Sequence, residues 1–166
     1  MESPKQRHFL IFTVHTQRFA LPVEEIERVA AAAALMPLPD APSFLRGVID
    51  WGGTMVPVMD LRVRLGLPHL PLDPEQRLLL VRSREIFLAF LVDTVEGVTL
   101  LDVETLQFPP EARALFPENF SSPLVGKKGE ADPVVCLRNA EALFSVLPEA
   151  MPYLQELGLS QEASTP

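Results

Sequence analysis

Residues 39–62 read P-D-A-P-S-F-L-R-G-V-I-D-W-G-G-T-M-V-P-V-M-D-L-R. Two prolines frame a turn, an apolar segment follows, Gly52 and Gly53 make a tight bend, and a second apolar segment ends in Asp60-Leu61-Arg62. Apolar runs of this length on either side of a glycine pair form a strand, a hairpin bend and a strand. The stretch has no nucleophile beside a base, no metal-ligand spacing and no phosphate-cradling loop, which points away from catalysis.

The rest of the chain repeats this pattern. Residues 9–14 and 19–22 are apolar runs around the polar stretch 15–18, a first hairpin, with Pro22 suited to a strand end. Residues 77–81 and 86–92 flank R-S-R-E and form another hairpin. Residues 95–101 are a further strand, in which Gly97 marks a bulge or a close backbone approach. Residues 124–137 read as a loop followed by a strand. Asn139 is a good helix N-cap, and Leu143, Phe144 and Leu147 would share one face of a short helix over 139–147. One helical turn falls near 111–116, and residues 160–166 have the composition of a disordered tail. Many short strands with 17 prolines and 8 glycines specify an all-β fold, sandwich or barrel, with little helix.

Residues 23–35 are ambiguous. Val23, Ile26, Val29 and Ala30 recur at helical spacing and five alanines follow from Ala30, so propensity alone gives helix. A proline-rich connector over 68–74 is the best internal seam.

Bulk properties exclude several functions. The net charge of −8 disfavours nucleic acid and anionic membrane surfaces. One cysteine, Cys136, in an apolar run, excludes an intramolecular disulfide and reads as a buried thiol. The N-terminal apolar segment is too short for a signal peptide, and no run approaches the ~18–20 apolar residues of a membrane span. A cytoplasmic protein without direct membrane insertion is expected. Hydrophobic residues make up 48% of the chain, which leaves room for exposed binding patches. Asp60, Asp93, Asp102 and Glu104 could be imagined as an acid–base set, but Asp60 and Asp93 follow apolar runs, where they would brace strand ends. His8, His15 and His69 lack metal-ligand spacing, and no cofactor motif is present. Arg62, Arg64, Arg77, Arg82 and Arg84 read as a solvated rim. Trp51, in a glycine-rich bend, suits either an interface anchor or a core plug.

Four segments in order resemble the CheW family, the small adaptors that join bacterial chemoreceptors to the histidine kinase CheA. They are F-L-I-F-T-V with F-A-L-P-V-E-E-I near the start, the block 39–62, L-V-D-T-V-E-G-V at 91–98, and the ending V-V-C-L-R-N-A-E-A-L-F. The resemblance spans roughly residues 9–147. It implies a single CheW-like domain over 8–158, built as two small five-stranded OB-like barrels around a shared apolar core. It also implies one helical turn near residues 23–26 followed by a strand, in place of a helix over 23–35. Neither half of a chain this size would bury much alone. The implied function is a non-enzymatic scaffold, with a CheA-type histidine kinase and a methyl-accepting receptor's cytoplasmic tip as partners.

Carried over by position, Ile26, Arg28, Val29, Gly47 and Gly52 fall on the protein-binding surface, and Trp51 joins them from the bend. Two positions depart from the family. Its segment V-x-E-V has an acidic residue where this chain has Arg28, and its bend N-x-R-G has an arginine where this chain has Gly52. These departures raise the alternative of a divergent module serving another two-component pathway or acting as a regulatory decoy. A nucleic-acid-binding small barrel is disfavoured, because the chain has one Trp, one Tyr and an acidic balance. At Gly47 the missing side chain implies close approach by another backbone or a partner, or a bulge within the fold.

Overall fold

The computed structural model describes residues 6–64, 66–82, 87–102 and 134–136. Expectations for the turn at 111–116, the helix at 139–147 and the tail at 160–166 lie outside the described residues. The described chain is mostly β: nine strands, one four-residue helix and two single 3-10 turns.

Sheet one orders its strands β8-β1-β2-β9. Strands β1 (Gln6–Val14) and β2 (Gln17–Pro22) form the opening hairpin. Its bend is shorter than the expected 15–18: only His15 and Thr16 turn, with His15 at φ 57°. Strand β8 (Thr94–Asp102) pairs antiparallel with β1, and β9 (Val134–Cys136) pairs parallel with β2. Ile11 opposes Gly97 while Phe12 opposes Val95, so Glu96 is an extra residue. The expected bulge is therefore at Gly97, whose φ of 114° suits glycine.

Sheet two orders β3-β6-β7-β5-β4. Residues 23–35 do not form the helix their propensity suggests. Val23–Glu25 make one 3-10 turn, Ile26–Ala31 form β3 against β6, and Ala32–Ala34 make a second turn. Strands β4 (Leu45–Trp51) and β5 (Thr54–Asp60) are the hairpin read from the glycine pair. The short helix α1 (Leu61–Arg64) follows. Strands β6 (Arg77–Arg82) and β7 (Phe87–Val92) are the other expected hairpin, and β7 pairs parallel with β5.

Unbroken apolar runs signal strands buried on both faces, and β6 and β7 behave so. Leu79, Val81, Leu88, Phe90 and Val92 enter a core shared with Leu10, Phe12, Val14, Phe19 and Leu21 of sheet one. Leu78, Leu80, Phe87, Ala89 and Leu91 face the opposite way, onto Ile49, Val56 and Val58. A third cluster, Phe9, Ile11, Ala20, Leu101 and Val134, lies on the far face of sheet one. Phe12 and Phe19 stack at 5.4 Å in the shared core.

Two closed five-stranded barrels are not what the strand ladders give. The described sheets have four and five strands, and neither closes on itself through a ladder. One link does cross the opening of sheet two. The amide of Met36, beyond β3, donates to the Val48 carbonyl at 2.8 Å, and the Val48 amide returns a bond at 2.9 Å. The sheet thus curls until β3's continuation meets β4.

Candidate protein-binding surface

The β4–β5 bend is built for two glycines. Trp51 pairs with Thr54, so Gly52 and Gly53 are the two loop residues, with φ 60° and 90°. A two-residue turn with both φ values positive matches the twist of the flanking strands. The Gly53 amide donates to Asp50 Oδ1 at 2.9 Å, which fixes the turn. A side chain at Gly52 would meet nothing within 4 Å, so that position opens to solvent.

Opposite stands β3. Ile26 pairs with Val81 and Arg28 with Leu80, so Glu27 is an extra residue. Such a bulge re-aims neighbouring side chains. Arg28 is exposed, and its guanidinium lies 5.2 Å from the centroid of the Trp51 ring. Ile26 and Val29 are half-buried against the shared core. Trp51 is half-buried against the cluster inside sheet two. The structure therefore brings Arg28, Trp51 and Gly52 to one end of sheet two and places Ile26 and Val29 beneath, as packing residues.

Gly47 stands apart from this group. It is buried, and a Cβ there would collide with the Met36 carbonyl oxygen and lie 3.0 Å from Pro37 Cα. A bulge also separates Leu45 from Gly47 in the ladder. The close approach expected at this glycine comes from the protein's own backbone.

Below the surface runs a polar network that joins the elements. Asp60, 1% exposed, accepts from the Arg62 amide at 2.9 Å and from Arg46 Nη1 at 3.3 Å. Arg46 also reaches His69 Nδ1 at 3.2 Å and the Leu70 carbonyl at 2.9 Å, which ties the proline-rich connector to β4. Arg62 donates to Asp93 Oδ2 at 2.8 Å, and the Gln76 amide donates to Asp93 Oδ1 at 3.0 Å. The backbone N–H of His15 also donates to Asp93. Both aspartates brace strand ends, as their positions suggested. Arg62 does not belong to a solvated rim: it is buried, because Asp93 supplies the countercharge a buried guanidinium needs.

Burial pushes the Asp93 carboxyl upward, but the hydrogen bonds from His15, Gln76 and Arg62, with Arg62's charge, outweigh it and hold the group below its usual value. A depressed folded-state pKa contributes stability above the unfolded value, near about 4, and that stability is lost as pH falls through the folded one. Urea unfolding at stepped pH is expected to show stability declining below about pH 4, with a shallower decline in Asp93→Asn. An unchanged slope in that variant would remove Asp93 from the acid response.

Two contacts at this surface were not legible in the sequence. The Arg82 guanidinium lies 3.9 Å from the centroid of Phe87, its partner across the β6–β7 hairpin, and Arg82 Nε is 3.5 Å from Glu27. Only the hairpin's register, with Arg82 opposite Phe87, would have signalled the first.

The model of the CheW-like domain family matches residues 8–146. A probable chemotaxis protein CheW of Rhizobium etli is 26% identical over 141 residues, which cover 84% of this chain and 88% of that protein. Protein PilI of Pseudomonas aeruginosa is 33% identical over 101 residues, 60% of this chain and 57% of that one. Among solved structures, the scaffolding protein TtCheW of Thermoanaerobacter tengcongensis superposes with a TM-score of 0.65 at 18% identity, covering 82% of this chain and 91% of that one, a likeness of fold. With a family match over most of its length and the same fold, the chain belongs to the CheW-like domain family.

Proposed function

We propose that the protein is a non-enzymatic cytoplasmic adaptor that couples chemoreceptors to a CheA-type histidine kinase. The observation that carries this reading is the family match across residues 8–146, with both sheets and their shared core in place. The binding surface is assigned to Arg28, Trp51 and Gly52 at the exposed end of sheet two, with Ile26 and Val29 packed beneath it and Gly47 acting at a distance by admitting the Met36 backbone that curls the sheet. The two sheets are read as two small barrels packed on each other in one domain over 8–158; the Met36–Val48 bridge supports this for sheet two. The test is reconstitution of receptor, kinase and this chain from one genome. Receptor-controlled phosphoryl flux should appear only when the chain is added, and flux independent of the chain would contradict the reading.

A second reading is favoured by Arg28 and Gly52 and by relatives whose names are not CheW, such as PilI. In it, the module serves a different two-component pathway or competes with an ordinary adaptor. Specificity is often set by rejecting the wrong partner, and an arginine where an acidic residue is usual would repel a standard partner. Arg28→Glu combined with Gly52→Arg is expected to gain affinity for a standard kinase–receptor pair and lose it for the cognate set. Fluorescence titration of both forms against both sets measures this, and equal binding throughout would show that neither position governs recognition.

A further inference from the structure

Two arginines of sheet two lie on aromatic rings at the same end of the sheet. Arg28 opposes Leu80 across the β3–β6 ladder, Arg82 stands two residues further along β6 on that face, and Phe87 opposes Arg82. Trp51 arrives from the other sheet edge to lie against Arg28. A guanidinium held against a ring still has N–H donors for an acceptor, and the ring contact restrains where they sit. Arg82 meets one carboxylate, that of Glu27 at 3.5 Å, with both side chains well exposed. Exposed pairs of this kind are weak and exchangeable. Arg28 has no carboxylate partner among the described residues. This cationic pair stands on a chain of net charge −8, and the carboxylate shown beside it is that of Glu27, since Glu24 pairs with Arg7 at 3.3 Å. The acidic balance of the whole chain would repel a long polyanion and leave room for a short acidic contact.

We infer that Arg28 on Trp51 and Arg82 on Phe87 form a clamp for carboxylates on an acidic segment of the partner protein. The inference rests on the adaptor reading and specifies the chemistry of its contact. Binding of the full-length chain to the kinase and to the receptor cytoplasmic fragment of the same genome tests it, by titration calorimetry at low and high salt. Arg28→Glu is expected to weaken one of these complexes by about tenfold or more at low salt, with the difference shrinking at high salt. Arg28→Lys keeps the charge but loses the planar donors, and should bind more weakly than wild type and more tightly than Arg28→Glu. Carbodiimide, which joins an amine to a carboxylate, should cross-link position 28 of Arg28→Lys to an Asp or Glu of the partner, identified by mass spectrometry. Thermal melts matching wild type show that the variants fold. Undiminished binding by Arg28→Glu, or no cross-link at position 28 within a formed complex, would overturn the clamp while leaving the adaptor reading standing. Wild-type protein that binds neither partner would overturn both. Arg28-dependent binding of single-stranded DNA would assign the pair to phosphate and overturn the carboxylate proposal.

Discussion

Gly47→Ala is expected to lower stability by about 3 kcal/mol or more, the sum of an overpacking term and a strained backbone. The added methyl would collide with the Met36 carbonyl oxygen, which is itself bonded to the Val48 amide. Backbone cannot rotate away as a flexible side chain can, so relief requires breaking the Met36–Val48 bridge that spans the opening of sheet two. The φ of 154° at Gly47 adds to the strain. Gly47→Asp should be worse, because it adds a charge at a buried site. Urea unfolding measures both, and a midpoint within error of wild type for the alanine variant would refute the close packing. Weakened partner binding by a Gly47 variant would then reflect a damaged sheet end rather than a lost contact, and the melt must be read before the binding curve.

Asp60→Ala is expected to cost about 3–5 kcal/mol, the range for breaking a buried ion pair by removing one partner. Arg46, with a side chain 9% exposed, would lose its only carboxylate among the described residues, and the Arg62 amide would lose its acceptor. The loss should spread beyond Asp60, since Arg46 also fastens His69 and Leu70, and Arg62 fastens Asp93. Asp60→Asn keeps an acceptor for the Arg62 amide and should cost less. Faster hydrogen exchange at residues 68–74 in Asp60→Ala would show the connector loosening. If Asp60→Ala and Asp60→Asn unfold alike, the charge rather than the amide bond dominates; if both match wild type, the network is dispensable.

Strand positions were legible where apolar runs met glycine or proline punctuation. The pair Gly52-Gly53 fixed the hairpin to within one or two residues, because only one kind of bend fits two positive φ values between strands. The runs 77–81 and 86–92 were legible because the polar stretch R-S-R-E parts them; that they are buried on two faces emerged only in the structure. Residues 23–35 misled by propensity: pairing with β6 outweighs the helical preference of a short alanine run. Family resemblance, not the residues' own periodicity, pointed to the strand. Arg62 was misread because its countercharge is 31 positions away, a distance no local pattern spans. The surface was legible only in part. Arg28 and Trp51 could each be named, but their contact depends on the two edges of sheet two curling together. That curl follows from Gly47 yielding room to Met36, which no sequence period reveals.

The most direct test of the central claim is simultaneous occupancy. Sedimentation velocity of the full-length chain with the CheA-type kinase and the receptor cytoplasmic fragment of the same genome should show a three-component boundary. The boundary should hold all three proteins and disappear when the chain is omitted. Binary complexes that exclude one another, with no ternary species at saturating concentrations, would contradict an adaptor and leave a competitor in its place.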